Sequence, residues 1–183
     1  MLKPLTAITL AISFCRPTIP PADLAAYARI VDERSRAIDV DPILVVAIVD
    51  HESRWIPTSV NKKSGALGLG QILPQYRPAC AKDGSSAVCK AEKKTLLDGA
   101  GNLRAMFEVI EAWQKDCKAR VHTSGEHEWL TSYSGLNNPK AGEWCGWRRT
   151  ASGLQRLPIH SVVRAFLARR RALRLRLEAL PPG

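Results

Sequence analysis

Apolar positions fall into helical patterns over most of the chain. Residues 23–38 place Leu24, Tyr27, Val31 and Ile38 on one face, which predicts a helix lying on a core. From Leu103 onward, Met106, Phe107, Ile110, Trp113 and Cys117 recur at spacings of three and four, and predict an amphipathic helix whose inner face ends at a cysteine. Residues 126–133 predict a short helix ending on Tyr133, and GLNNPKAG after it is a turn-rich loop. A last stripe, Val163, Phe166, Leu173, Leu177 and Leu180, predicts a helix over residues 160–180. Neither an internal repeat nor a low-complexity tract is present. The expectation is a mainly α fold.

One stretch breaks the amphipathic pattern. In DPILVVAIVDHESRW, residues 41–55, Ile43 to Val49 are apolar on every side and rich in β-branched residues, so periodicity alone would equally allow a buried strand. Asp41 followed by Pro42 decides for a helix, because Asp caps free amides and Pro suits the first helical position. Such a buried helix delivers Glu52 to the edge of a hydrophobic core. There, desolvation and the negative pole of the helix dipole both favour the protonated acid. Twelve residues after Glu52, SGALGLGQILP from Ser64 to Pro74 carries three glycines in six positions, followed by Gln71. That density suits a backbone that turns through positive φ or approaches a ligand closely.

The composition changes this picture in three ways. A length of 183 residues with 45% apolar content supports one globular unit, expected over residues 16–183. Ahead of it, Lys3, the apolar run Leu5–Phe14 and the Cys15-Arg16 that follows match a secretory signal over residues 1–15, too short to span a bilayer. An ordinary N-terminal helix is the alternative, and a lipid-modified Cys15 is a further reading that the bulky Phe14 disfavours. With Cys15 removed, Cys80, Cys89, Cys117 and Cys145 remain, an even number that suits two disulfides in an exported protein. Three pairings are open; proximity along the chain favours 80–89 and 117–145. Structural zinc is disfavoured because no pair has the short Cys-x₂₋₄-Cys spacing, and no metal or cofactor is expected. The formal charge is +10, and about half of it lies in the C-terminal stretch, where Arg164, Arg169, Arg170, Arg171, Arg174 and Arg176 oppose only Glu178. The plain reading is a solvated basic face on a packed helix; the functional one is attraction to anionic envelope polymers or a membrane surface. Nucleic acid is not expected, since the basic residues come without interleaved aromatics.

Glu52-Ser53, a polar spacer, Gly65-Ala66-Leu67-Gly68-Leu69, then Gln71 and Pro74 resemble the catalytic core of the lysozyme-like lytic transglycosylases, the soluble lytic transglycosylase family. Asp98 to Leu103 resembles that family's Asp…Asn-Ile helix start, and Ser132-Tyr133-Ser134-Gly135 its Ala-Tyr-Asn-Ala/Gly segment, so the resemblance covers roughly residues 23–147. Gly70 stands where the family usually has Met, Ser134 where it has Asn, and Met106 and Val109 where its helix carries a Gly and an aromatic. The resemblance implies a mainly α, lysozyme-like domain with a small irregular or short-β segment after the catalytic helix. It implies peptidoglycan glycan strands as substrate and a monomer acting in the periplasm or cell envelope. Glu52 would be the catalytic acid and Ser64, Gly68, Gln71 and Tyr133 the substrate-contacting residues. Glu52 would protonate the glycosidic oxygen between N-acetylmuramic acid and N-acetylglucosamine and then, as base, deprotonate the muramoyl 6-hydroxyl, leaving a 1,6-anhydro end.

Other chemistries fit less well. His51-Glu52 opens like a zinc-protease helix, but the second histidine would fall at Trp55. Neither Ser134-Gly135 nor the cysteines offer a nucleophile elbow. Asp50 lies two residues from Glu52, which puts the two on different helix faces and makes Asp50 structural. Two rivals remain: a goose-type-lysozyme-like muramidase that adds water with the same acid, and a non-catalytic peptidoglycan-binding scaffold of an envelope machine.

Overall fold

The computed structural model describes residues 3–181; Met1 and Leu2, at the head of the expected export signal, and Pro182 and Gly183 lie outside the described residues. The fold is mainly α. The helices are α1 (Pro4–Cys15), α2 (Pro21–Ala37), α3 (Pro42–Ser53), α4 (Ala87–Leu96), α5 (Gly99–Val121), α6 (Glu126–Tyr133) and α7 (Ser161–Glu178), and between α6 and α7 the chain forms a small antiparallel sheet of β1 (Glu143–Trp144), β2 (Trp147–Thr150) and β3 (Gly153–Arg156) in the order β1-β2-β3. The chain divides into two compact units, one formed by residues up to Met106 together with those from Arg169 onward, the other by Phe107–Ala168.

The first unit is built on α3. Asp41 caps it as its composition predicts, with Oδ1 accepting from the Ile43 amide at 3.0 Å. Leu44 to Val49 are wholly buried, which explains why the stretch carries no polar face: α1 and α2 both pack on it and on each other. Helix α1 contributes Ile8, Ala11 and Ile12, and α2 contributes Tyr27, Ala28, Ile30 and Val31. The arginines of α7 fasten its C-terminal half here. Arg174 donates to Asp41 Oδ2 at 2.8 Å, Arg170 approaches the same oxygen at 3.5 Å, Arg169 pairs with Asp50, and the Arg176 guanidinium lies 4.2 Å above the Phe14 ring. Much of the basic face is therefore engaged within the fold. Cys15 is a free, half-buried thiol, pushed up to about 12 by burial and by the nearby Asp50.

Helix α4 is not foreseen by the hydrophobic pattern, because AVCKAEKKTL is mostly polar outside Cys89 and Leu96. It is held locally instead. Ser86 Oγ caps the Cys89 amide at 3.1 Å, the Cys80–Cys89 disulfide ties its first turn to the preceding loop, and Arg77 pairs with Glu92 at 2.7 Å.

In the second unit, α5 buries Phe107, Ile110 and Cys117, and α6 buries Trp129 and Leu130. The Cys117–Cys145 disulfide joins α5 to the turn between β1 and β2. The β2–β3 hairpin, with Trp147 opposite Arg156 and Thr150 opposite Gly153, is also absent from the sequence expectations. Its strands WRRT and GLQR are largely solvent-facing and lack clean alternation, so the order comes from pairing and from Trp147 and Leu154 packing on the disulfide.

The two disulfides make a quantitative expectation. Their separations of 9 and 28 residues correspond, on the loop-closure account, to roughly 2.5 and 3.5 kcal/mol. Replacing Cys117 and Cys145 together by Ala should lower the urea midpoint more than replacing Cys80 and Cys89 together. An equal or reversed order would contradict the loop-closure account.

Candidate active site

Glu52 sits in the last turn of α3, at the point where the buried helix reaches solvent. The helix stops through two consecutive left-handed residues, Arg54 at φ 52° and the wholly buried Trp55 at φ 58°. Ser53 turns inward and donates to the Val49 carbonyl at 3.2 Å. Among the described residues the Glu52 carboxyl has no hydrogen-bond or ion-pair partner. Burial alone raises it to about 7, because an ionised carboxylate loses hydration there with nothing to replace it. Asp50, on another face of the same helix, is paired with Arg169. His51 is held below its ordinary value, first by burial and then by the Arg169 charge.

The segment after α3 folds into a compact loop rather than a regular element. Isolated bridges join Val60 to Leu67 and Leu67 to Ile72, the short irregular β segment expected after the helix. Ser64 is exposed; its Oγ accepts from the Ala66 amide at 3.3 Å and makes no bond to Glu52. Gln71, at φ 51°, donates from Nε2 to the Gly68 carbonyl at 3.0 Å and so braces the turn. Gly68 has φ 73°, and a Cβ there would lie 2.1 Å from both Asn102 Nδ2 and the Leu96 carbonyl oxygen. Its lack of a side chain serves loop closure against the interior. Tyr133 ends α6 in the second unit, half-buried.

Asn102 is the residue that motif reading left without a role. It is wholly buried in the second turn of α5, where Asp98 caps the helix by accepting from the Gly101 amide at 2.7 Å. Its Nδ2 donates to the carbonyls of Leu67 at 2.9 Å and Leu96 at 2.7 Å, and its Oδ1 accepts from the Gly70 amide at 2.7 Å. Three backbone groups of two segments thus share one side chain. The available signal was an asparagine inside an apolar helix, which is unfavourable unless its amide has partners elsewhere.

The model of the transglycosylase SLT domain matches residues 29–138. The matched span runs from α2 through Glu52, the Gly-rich loop and Asn102 to the residues just after Tyr133, and the chain belongs to this family. Comparison with curated proteins and with solved structures returned no match. At the level of the family, the function is transglycosylase-type cleavage of peptidoglycan.

Two outcomes follow from this geometry. Asn102→Ala would strand two carbonyls and an amide, at a cost of about 2–4 kcal/mol, read as a lower denaturation midpoint; an unchanged midpoint would show that the loop does not depend on this tie. For Glu52, the folded chain keeps its proton after the unfolded chain has lost it, so the contribution to stability is full in acid and disappears as pH rises to about 7. The stability difference between wild type and Glu52→Gln should vary with pH across that window. A flat difference would mean that the carboxyl is not desolvated.

Proposed function

We propose that the protein is a lytic transglycosylase that cleaves the β-1,4 bond between N-acetylmuramic acid and N-acetylglucosamine and leaves 1,6-anhydro-N-acetylmuramic acid ends. The observation that carries this reading is Glu52: a carboxyl without a charged partner among the described residues, raised to about 7 by burial, at the end of a buried helix. Such a group donates a proton at neutral pH and, once ionised, is a competent base. Glu52 first protonates the glycosidic oxygen as the bond to the anomeric carbon breaks, and the substrate's 2-acetamido group supports the developing positive charge. The Glu52 carboxylate then takes the proton from the muramoyl 6-hydroxyl, whose oxygen closes on the anomeric carbon. The acid is regenerated and no water is consumed.

A single-carboxylate mechanism is favoured by Asp50, whose pairing with Arg169 commits it to holding α7. Ser64, Gln71 and Tyr133 are proposed as substrate contacts, and Gly68 as the residue that lets the loop close. Export belongs to the same proposal. It is supported by the two disulfides, which persist in oxidising compartments.

Digestion of purified sacculi followed by mass spectrometry of the soluble products tests the reading. Anhydro ends are expected, and Glu52→Gln should lower their yield by about 10²-fold or more with the fold intact. Products heavier by one water would establish a muramidase instead. Sacculi that are bound but left whole would establish a scaffold.

A further inference from the structure

The second unit contains a cavity whose lining includes none of Glu52, Ser64, Gly68, Gln71 and Tyr133. Its volume is about 410 Å³, within the range of roughly 300–1,000 Å³ usual for small-ligand sites. Trp144, Trp147 and Leu154 line it together with Arg120, His122 and Arg149. Among the described residues no carboxylate contributes to the lining.

The aromatic wall is fixed from behind. Trp144, Trp147 and Leu154 pack against Cys117, Val121 and Cys145, so the disulfide cluster supports the wall. The Trp147 indole N–H donates to Glu128 Oε1 at 3.0 Å, and Glu128 is itself buried. The Arg120 guanidinium lies 4.2 Å above the Trp144 ring while its Nε donates to both Asp116 oxygens at 2.8 and 2.7 Å. A wall locked in this way loses little side-chain freedom when a ligand arrives. Arg149 differs from the rest. It is exposed on β2, and its guanidinium has no side-chain partner among the described residues.

These features select a ligand of two parts. The negative face of an indole favours the weakly positive C–H face of a pyranose ring over a flat, electron-rich group. An unpartnered guanidinium favours a carboxylate, which it can hold through two parallel hydrogen bonds. We propose that this cavity binds a carboxylate-bearing sugar, the pyranose against Trp147 and Leu154, beside the Trp144 ring that Arg120 covers, and the carboxylate on Arg149. Resting on the peptidoglycan reading given above, the sugar is a muramoyl residue whose lactyl ether carries the carboxylate. The cavity would then hold the wall polymer through residues that take no part in bond cleavage.

Indole N–H signals in proton–nitrogen correlation spectra of the full chain report on this cavity, with Trp144→Phe and Trp147→Phe assigning two of the five tryptophans. The titrant is the N-acetylglucosaminyl-N-acetylmuramic acid disaccharide with a free lactyl carboxylate, and the neutral control is chitobiose. The Trp144 and Trp147 signals should shift saturably with the acidic disaccharide, about tenfold more weakly with chitobiose, and about tenfold more weakly in Arg149→Gln. Glu52→Gln should leave both shifts as they are. Absence of shifts at these two indoles, an equal response to chitobiose, or unchanged affinity in a folded Arg149→Gln variant would overturn the assignment. A protein that shows the shifts but releases no anhydro products keeps the cavity as a carboxylated-sugar site and loses the proposed function. The reverse pattern loses the cavity alone.

Discussion

The burial of helix α3 is the constraint on which both the first unit and the state of Glu52 depend. Helix α3 is buried on all sides from Leu44 to Val49, where α1 and α2 pack on it, and it ends in Glu52 at the edge of that core. The same helix bears Asp50 two residues earlier, and the two acids have opposite fates. Asp50 holds Arg169, whereas Glu52 has no charged partner among the described residues. A cation within about 4–6 Å would lower a carboxyl by roughly one to three pH units and cancel what burial achieves. In a chain of net charge +10, keeping cations off Glu52 is a real constraint. Four arginines of α7 are engaged elsewhere, Arg169 on Asp50, Arg170 and Arg174 on Asp41, and Arg176 on Phe14.

The loop after the helix depends on a second economy of the same kind. Asn102 answers three backbone groups at once, and it fits only because Gly68 has no side chain at the point of contact. Gln71 closes the turn from the other end. The loop is therefore shaped by polar satisfaction in the interior. Its glycine content follows from close packing against Asn102 and from left-handed backbone at Gly65 and Gly68.

What the chain announced in advance was whatever depends on local rules. The Asp41-Pro42 cap, the amphipathic faces of α2 and α5, the two disulfide pairs and the placement of Glu52 at the end of a buried helix could all be read from residue type and spacing. Three features could not. Helix α4 and the β2–β3 hairpin owe their order to a disulfide, an ion pair and cross-strand pairing, and their sequences show no apolar period. Asn102 acts across more than thirty residues to Leu67 and Gly70, a distance at which spacing carries no information. The apolar run of Leu5–Phe14 is a different case, since an export signal and a core helix have the same composition. In the folded chain its Ile8, Ala11 and Ile12 are wholly buried.

The central claim is that Glu52 holds its proton near neutrality because its surroundings withhold water. Side-chain carboxyl carbon shifts, followed by NMR across the pH range with the Glu52 signal assigned by Glu52→Gln, measure this directly. The account predicts a midpoint near 7 for Glu52. A midpoint in the ordinary carboxylate range would mean that the group is hydrated or ion-paired in solution, and would contradict the account.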